Sequence, residues 1–230
     1  MNNITKKSLI LIIVVLLIDQ LLKIYIKTNY TYGQIHYIFG LQWARLHFVE
    51  NKGMAFGWEI GWTYGKLLLS LFRIAAIGLL AFYVKQLIKE GNPFRLISCF
   101  VLILAGAIGN MIDSAFYGLI FNESLYSSTA TWTIGNPEIS GYSSFLHGRV
   151  VDMFHFPIIN GYAPEWMPFI GGEHVEFFKP IFNVADTAIS IGVFNLLAFN
   201  FSYFNTPKDD EKKQETPVSK EEEETPNQGQ

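Results

Sequence analysis

The chain has 230 residues, half of them hydrophobic, and this apolar share exceeds that of an ordinary soluble domain. The formal net charge of −3 arises in residues 205–230, which hold eight acidic and four basic side chains, so the remainder is nearly neutral with 12 acidic and 13 basic ones. A neutral body without a glycine-rich phosphate loop argues against nucleic acid and nucleotides as partners, and the single cysteine, Cys99, excludes disulfides and paired-cysteine sites.

Four apolar stretches are each long enough to cross a hydrocarbon core of about 30 Å, which takes about 20 helical residues. They cover residues 8–27, 66–88, 94–117 and 180–203. The first resembles a secretory signal at its start but lacks a small-residue cleavage site, so we interpret it as a retained anchor.

The basic residues predict the orientation of these spans. Lys6 and Lys7 precede the first span, and Lys85, Lys89 and Arg95 flank the connection between the second and third, whereas residues 118–178 contain only Arg149. By the positive-inside rule both termini are cytoplasmic in the cell (inner) membrane. The connections at 28–65 and 118–179 then face outward.

The first outward segment predicts a few short strands, because residues 41–49 alternate between apolar and polar side chains. We therefore expect an all-α integral membrane protein with four transmembrane helices and a small β-containing outward-facing subdomain. Residues 1–203 are predicted to form one membrane domain. Residues 204–230, rich in Pro, Lys, Glu and Gln, are predicted to be a disordered cytoplasmic tail.

Only four aspartates precede residue 205, and three of them interrupt predicted spans: Asp19, Asp113 and Asp186. Each unpaired aspartate at a helix centre costs roughly 2.5–3.5 kcal/mol, so chance placement is a poor explanation. At a rise of about 1.5 Å per residue, all three lie at one depth in the outer half of the membrane. Asp152 lies in a short apolar run of the outer segment that can bring its carboxylate to the same place.

Polar neighbours accompany these acids at helical spacing. Lys23 follows Asp19 by four residues, and Asn110 and Asn183 each precede an aspartate by three. Gly106 and Gly109 leave room for close approach of another helix or an extended peptide.

Two carboxylates held close together share one proton near neutral pH, so one can activate water while the other donates to a carbonyl oxygen. This chemistry cleaves an amide without a metal, a cofactor or a covalent intermediate. The alternative is that the acids form structural ion pairs with Lys23 and Arg73, and for Asp19 that interpretation has at least equal weight. For Asp186 the functional interpretation is favoured, since its span offers no cation within one turn.

Five motifs resemble the bacterial lipoprotein signal peptidases, also called signal peptidase II, over roughly residues 8–203. Each motif alone is weak, but five in register are highly specific. They are Asp19-Gln20 with Lys23; Asn51-Lys52-Gly53-Met54-Ala55-Phe56-Gly57; Gly106-Ala107-Ile108-Gly109-Asn110 with Asp113; Val150-Val151-Asp152; and Phe182-Asn183-Val184-Ala185-Asp186.

The resemblance implies an aspartic endopeptidase whose catalytic pair is Asp152 and Asp186. It implies that the residues supporting the site or binding substrate are Asp19, Lys23, Asn51, Gly53, Gly109, Asn110, Asp113 and Asn183. The implied substrate is a prolipoprotein carrying diacylglycerol on a cysteine, cut on the amino side of that cysteine. We expect membrane lipids as the other partner, and a monomer.

The chain departs from the family in two places. Ser114 follows Asp113 where the family usually has arginine, and Arg73 is then the candidate cation for Asp113. Residues 121–146 form a longer stretch than usual, which we interpret as an added flap or surface loop.

The five histidines, all predicted to face outward, lack the spacing of a helical zinc motif, so we expect interface or surface histidines and no metal. Two other functions remain open. A proton relay or small transporter also uses intramembrane acids, but no polar path continues through the inner half of the third and fourth predicted spans. A membrane scaffold would have no need for three costly intramembrane acids.

Overall fold

The computed structural model describes residues 2–51, 65–200 and 203. Two predictions lie outside the described residues: the role of Gly53, together with the rest of its motif after Asn51, and the disordered tail at 204–230.

Among the residues that the structure describes, three helices are long and apolar enough to cross a membrane. They are α1 (Asn3–Asn29), α2 (Gly65–Lys89) and the run Phe94–Ile120, which consists of α3 (Phe94–Ile112), a π-helical turn (Asp113–Tyr117) and the short turn α4 (Gly118–Ile120). A further apolar helix, α5 (Val184–Phe199), has 16 residues, fewer than the roughly 20 that a full crossing takes. The chain is therefore a multi-pass membrane protein, and the count of four spans stays a prediction.

Helix α3 is the most buried of the three long helices and packs against α1, α2 and α5. Small residues permit this contact, because Gly106 and Gly109 lie against Ala185 at the start of α5. Helix α2, in contrast, exposes large apolar side chains such as Phe72 and Leu79. A helix that is apolar and exposed in this way suits a lipid environment.

The main sheet is antiparallel and has the strand order β1–β2–β3–β6. Its strands are β1 (Ile35–Tyr37), β2 (Arg45–Asn51), β3 (Val150–His155) and β6 (Ile181–Phe182). The predicted small β-containing part is thereby confirmed. Strand β6 ends one residue before Asn183, so the sheet leads directly into helix α5.

A separate hairpin connects β3 to β6. Its strands are β4 (Ile159–Tyr162) and β5 (His174–Phe177), which pair in register from Ile159 with Phe177 to Tyr162 with His174.

Residues 121–146 fold back onto the body of the protein. Phe121 and Ala130 are buried in a core with Ile26, Phe48 and Val151, which joins the end of α1 to strands β2 and β3. The ends and middle of this segment are therefore packed, although its tip residues are exposed.

Candidate active site

Lys23 lies at the centre of a fully buried ionic cluster formed by α1, α3 and the π-helical turn that follows α3. Its Nζ is 2.9 Å from Asp19 Oδ2 and 2.9 Å from Asp113 Oδ2, and all three side chains are inaccessible to solvent. The same ammonium group donates to Asn110 Oδ1 at 2.9 Å. A buried cation that satisfies two carboxylates offsets the cost of burying both.

This geometry corrects the sequence-based assignment of the cation. Arg73 was the candidate partner of Asp113, but Lys23 holds that position, one turn beyond Asp19 on α1. Arg73 instead interacts electrostatically with Asp186 and Asp152. Ser114 is buried and its hydroxyl has no hydrogen-bond partner among the described residues, so it supplies no substitute for an arginine there.

Gln20 completes the cluster and is a member that we did not select from the sequence. Its Nε2 donates to Asp19 Oδ2 at 3.0 Å, to Asp113 Oδ1 at 2.9 Å and to the carbonyl of Gly109 at 3.2 Å. Tyr117 in turn donates its hydroxyl to Gln20 Oε1. The sequence signal for Gln20 was its position beside Asp19. Adjacent residues on a helix point in different directions, so helical spacing alone did not predict that Gln20 would contact the same carboxylates as Lys23.

Asp19 and Asp113 each fix a backbone N–H beside one of the other two aspartates. Asp19 Oδ1 accepts from the N–H of Ala185 at 2.9 Å. Asp113 Oδ2 accepts from the N–H of Val151 at 3.2 Å. The lysine cluster (Asp19, Gln20, Lys23, Asp113) thus anchors the start of α5, where Asp186 lies, and strand β3, where Asp152 lies.

Asn183 bridges Asp152 and Asp186, which we call the aspartate pair. Its Nδ2 donates to Asp152 Oδ1 at 2.7 Å, and its backbone N–H donates to Asp186 Oδ2 at 3.2 Å. Asn183 is also the N-cap of α5, because its Oδ1 accepts from the N–H of Asp186 at 2.9 Å. This reciprocal capping box holds both acids in a defined relation to one residue.

Two further asparagines contact the aspartate pair. Asn110 donates its Nδ2 to Asp186 Oδ1 at 2.8 Å, while its Oδ1 accepts from Asn183 and Lys23. Asn51, at the end of β2, hydrogen-bonds Asp152 through its side chain. Within the described part of the chain, the polar residues of the five motifs therefore meet in one network.

Gly109 is in contact with the same network. A Cβ at this position would lie 2.7 Å from Asp19 Oδ2 and 3.2 Å from Ala185 Cβ. A methyl group would have to displace the carboxylate or helix α5, since real Cβ atoms do not approach other atoms closer than about 3 Å.

The environment of Asp152 favours its protonated form. Burial, and secondly the charge of Asp186, raise the pKa of Asp152 from 3.8 to about 7, against the hydrogen bonds from Asn183 and Asn51 and the more distant charge of Lys23. At neutral pH this carboxyl group is therefore divided between its two protonation states. A pair in which one acid titrates near pH 7 can both accept and donate a proton.

A second buried ionic cluster, which we call the Glu50 cluster, was not predicted from the sequence. Glu50 forms ion pairs with Lys27 and, at 3.1 Å, with Arg149, and it accepts a hydrogen bond from Ser124 at 2.8 Å. Arg149 also pairs with Glu123 at 2.5 Å. The four-residue spacing of Lys23 and Lys27 was the available signal, but the partners of Lys27 come from distant segments.

The histidines differ from the prediction at one position. His155 is buried, and burial lowers the pKa of its imidazole, which favours the neutral ring. It lies in the main sheet beside His47, with 5.7 Å between ring centroids. The described residues contain no group of three or more His, Cys, Asp or Glu side chains that could hold a metal ion.

Comparison with known proteins agrees with the motifs. The family model for signal peptidase (SPase) II matches residues 11–202. A lipoprotein signal peptidase of Porphyromonas gingivalis is 48% identical over 188 residues, which are 81% of this chain and 79% of that protein. A lipoprotein signal peptidase of Amoebophilus asiaticus is 38% identical over 178 residues, covering 76% and 70% of the two chains.

The fold also resembles that of solved structures. One, described as a bacterial membrane enzyme solved by the in meso method at 2.3 Å resolution, matches with a TM-score of 0.54 and 20% identity. The match covers 93% of this chain and 95% of that one. A second structure with the same description, at 1.9 Å resolution, has the same TM-score and covers 84% and 91% of the two chains.

Proposed function

The chain belongs to the signal peptidase II family, and from this premise we propose that it is an aspartic endopeptidase that removes the signal peptide of lipid-modified prolipoproteins. The substrate carries diacylglycerol on a cysteine, and the cut falls on the amino side of that cysteine. The proposal is supported chiefly by one observation: Asp152 and Asp186 are both held by Asn183, and the pKa of Asp152 is raised to about 7.

Asp152 and Asp186 act as the general base and general acid. The ionised carboxylate takes a proton from water as the water oxygen attacks the scissile carbonyl carbon. The protonated carboxyl group donates its proton to the carbonyl oxygen, which gives a tetrahedral diol. The carboxyl group that took the water proton donates it to the amide nitrogen, and the other carboxylate takes a proton from a hydroxyl of the diol as the carbon–nitrogen bond breaks. The new amino terminus is that of the lipidated cysteine.

The surrounding residues position this pair and contact substrate. The lysine cluster fixes β3 and α5 through the N–H groups of Val151 and Ala185. Asn51, Asn110 and Asn183 orient the carboxylates, and Gly109 leaves space beside them. For Gly53 a supporting role rests on the motif alone.

We further propose that the chain is a monomer in the cell (inner) membrane, with four spans and both termini cytoplasmic. The aspartate pair then lies near the outer leaflet. This location suits a substrate whose signal helix remains in the membrane and whose lipid stays in the bilayer.

The proposal is tested with detergent-purified protein and a diacylglyceryl-modified prolipoprotein, followed by the mobility shift of the product. We expect wild type to cleave it, and Asp152→Asn and Asp186→Asn to lose about 10²- to 10⁴-fold or more of the rate, because each removes a proton-transfer group. Glu138→Gln, at an exposed position away from the site, serves as the control with unchanged rate. A folded wild-type protein that leaves the lipidated substrate intact would contradict the proposal, and ion flux would then be measured.

A further inference from the structure

The turn of the β4–β5 hairpin exposes some of the largest apolar side chains of the protein. In residues 164–172, Phe169 is 100% exposed and Trp166 79% exposed, and Met167 and Ile170 are also exposed. Clustered exposed aromatic residues in a protein mark an interaction surface when they lie together on one projection. We call residues 164–172 the aromatic tip.

The backbone of the aromatic tip satisfies many of its own hydrogen bonds. Met167 N–H donates to the carbonyl of Pro164 at 3.0 Å, and Gly171 N–H donates to that of Met167 at 3.0 Å. At its base, Gly172 N–H donates to Ala163 and Ala163 N–H donates to Glu173. A turn with paired N–H groups can enter an apolar or interfacial layer without the cost of desolvating unpaired donors.

The backbone of Phe169 is strained, and no contact of its side chain with the described residues offsets this strain. Its φ is +74°, in the left-handed region that a bulky side chain rarely adopts. Because the ring is fully exposed, it gains no packing within the described residues. A favourable contact of the ring with a group outside the described residues would offset the strain.

Lipid is the occupant that the surroundings favour. The hairpin starts and ends at an aromatic group in which Phe182 lies 5.7 Å from Phe156 and 6.2 Å from Phe178, between ring centroids. Phe182 immediately precedes Asn183, the N-cap of α5, and the exposed face of α5 includes Phe194 and Leu197. The base of the hairpin therefore adjoins the N-terminal end of an apolar helix whose outer face is exposed.

The length of the hairpin keeps its tip within reach of the membrane surface. Four-residue strands span about 13 Å at 3.3 Å per residue, so the tip lies no farther than roughly that distance from the base of the hairpin beside the start of α5. Arg45 on β2 pairs with Glu176 on β5 at 3.9 Å and ties the hairpin to the main sheet. Tryptophan and other aromatic side chains are enriched at this layer of the membrane.

We propose that the aromatic tip inserts Trp166 and Phe169 into the lipid headgroup layer next to α5, and that it acts as a second membrane contact beside the helices. The contact is to lipid as a class and does not depend on the peptidase reaction. It fixes the height of the main sheet, and with it strand β3, relative to the bilayer.

A spin label tests this contact directly. In a Cys99→Ala background, Phe169→Cys is labelled with a nitroxide and the protein is placed in phospholipid nanodiscs. Collision with oxygen, which concentrates in lipid, is compared with collision with a water-soluble nickel chelate. The matched control is Ser140→Cys, an exposed position in the 121–146 segment.

We expect the oxygen-to-nickel collision ratio to be shifted upward at position 169 relative to position 140. Equal ratios at the two positions, with free access of nickel to position 169, would refute the proposal. Dipolar broadening between labels in discs with two proteins, together with a low oxygen collision rate, would also refute it, because the tip would then contact a second copy.

A second position guards against a misfolded variant. Trp166→Cys carries the same label, and both labelled proteins are required to show the monodisperse elution and thermal transition of the parent. Because this measurement reads lipid contact and not cleavage, its outcome is independent of the proposed peptidase activity.

Discussion

At the scale of single residues, Asn183 has two separable roles. Its side chain caps α5 by accepting from Asp186 N–H, and its Nδ2 donates to Asp152. We expect Asn183→Ala to lose about 1 kcal/mol of unfolding free energy through the missing cap, and more than tenfold of the cleavage rate. Asn183→Ser keeps a capping oxygen but has no amide donor for Asp152.

The serine variant separates the two roles. Thermal unfolding and cleavage kinetics are measured for both variants. We expect Asn183→Ser to retain most of the stability and still to lose activity, and an active Asn183→Ser would show that the bridge to Asp152 is dispensable.

Asp152 makes stability depend on pH. Its pKa is raised from 3.8 to about 7 in the folded protein, first by burial and then by Asp186. In that window the folded state binds more protons at this group than the unfolded state, so its contribution favours folding at low pH and is lost as the pH rises through about 7. Asp152→Asn removes this contribution.

We therefore expect wild type to lose more stability than Asp152→Asn between pH 5 and pH 8. The measurement is the thermal unfolding midpoint of both proteins in detergent at the two pH values. An identical change in both proteins would show that Asp152 does not titrate in this range.

At the scale of helices, the contact between α3 and α5 depends on the absence of side chains. We expect Gly109→Ala to cost roughly 1–3 kcal/mol through overpacking, because its Cβ would lie 3.2 Å from Ala185 Cβ on α5 and 2.7 Å from Asp19 Oδ2 on α1. Gly78→Ala on α2 is the matched control, since a Cβ there meets no atom within 4 Å. The measurement is the thermal unfolding midpoint of both variants. Equal midpoints would contradict the close contact at Gly109.

At the scale of the whole molecule, the Glu50 cluster joins segments that are far apart in sequence. It links α1 through Lys27, β2 through Glu50, the 121–146 segment through Ser124, and the residue before β3 through Arg149. Glu50→Gln leaves the buried Lys27 without its counter-charge, which costs about 3–5 kcal/mol.

Glu123→Gln provides the comparison, because Glu123 is 44% exposed and its ion pair with Arg149 contributes about 0–1 kcal/mol. Both variants are followed by chemical or thermal unfolding in detergent. Similar small losses of unfolding free energy for the two variants would mean that the ion pairs of Glu50 contribute little to stability.

The position of the 121–146 segment also depends on contacts with distant parts of the chain. Its composition predicted a flap or surface loop, yet Phe121 and Ala130 pack into the core and Ser124 joins the Glu50 cluster. Turn-rich composition describes the solvent-facing part of such a segment, whereas the few buried residues that fix its position are too sparse to form a pattern.

The sequence by itself determined the membrane character, the family and, apart from Gln20, the polar residues that the described part of the chain brings together around Asp152 and Asp186. In lipid, a long apolar run can satisfy its backbone hydrogen bonds only as a helix. Charged residues within such a helix are costly unless they are paired, and they mark functional sites, so Asp19, Asp113 and Asp186 were conspicuous without any structure. Helical spacing also predicted that Asp19 and Lys23 lie on one face, and they form an ion pair at 2.9 Å.

The tertiary structure alone decided which groups are partners across elements. It paired Lys23 with Asp113, assigned Gln20 to the cluster, buried His155 and created the Glu50 cluster. Sequence spacing reports neighbours within one helix or strand, because only there do fixed rise and rotation relate position to direction. Partners on different elements depend on how helices and sheet pack, and that arrangement is set by the summed contacts of the whole chain.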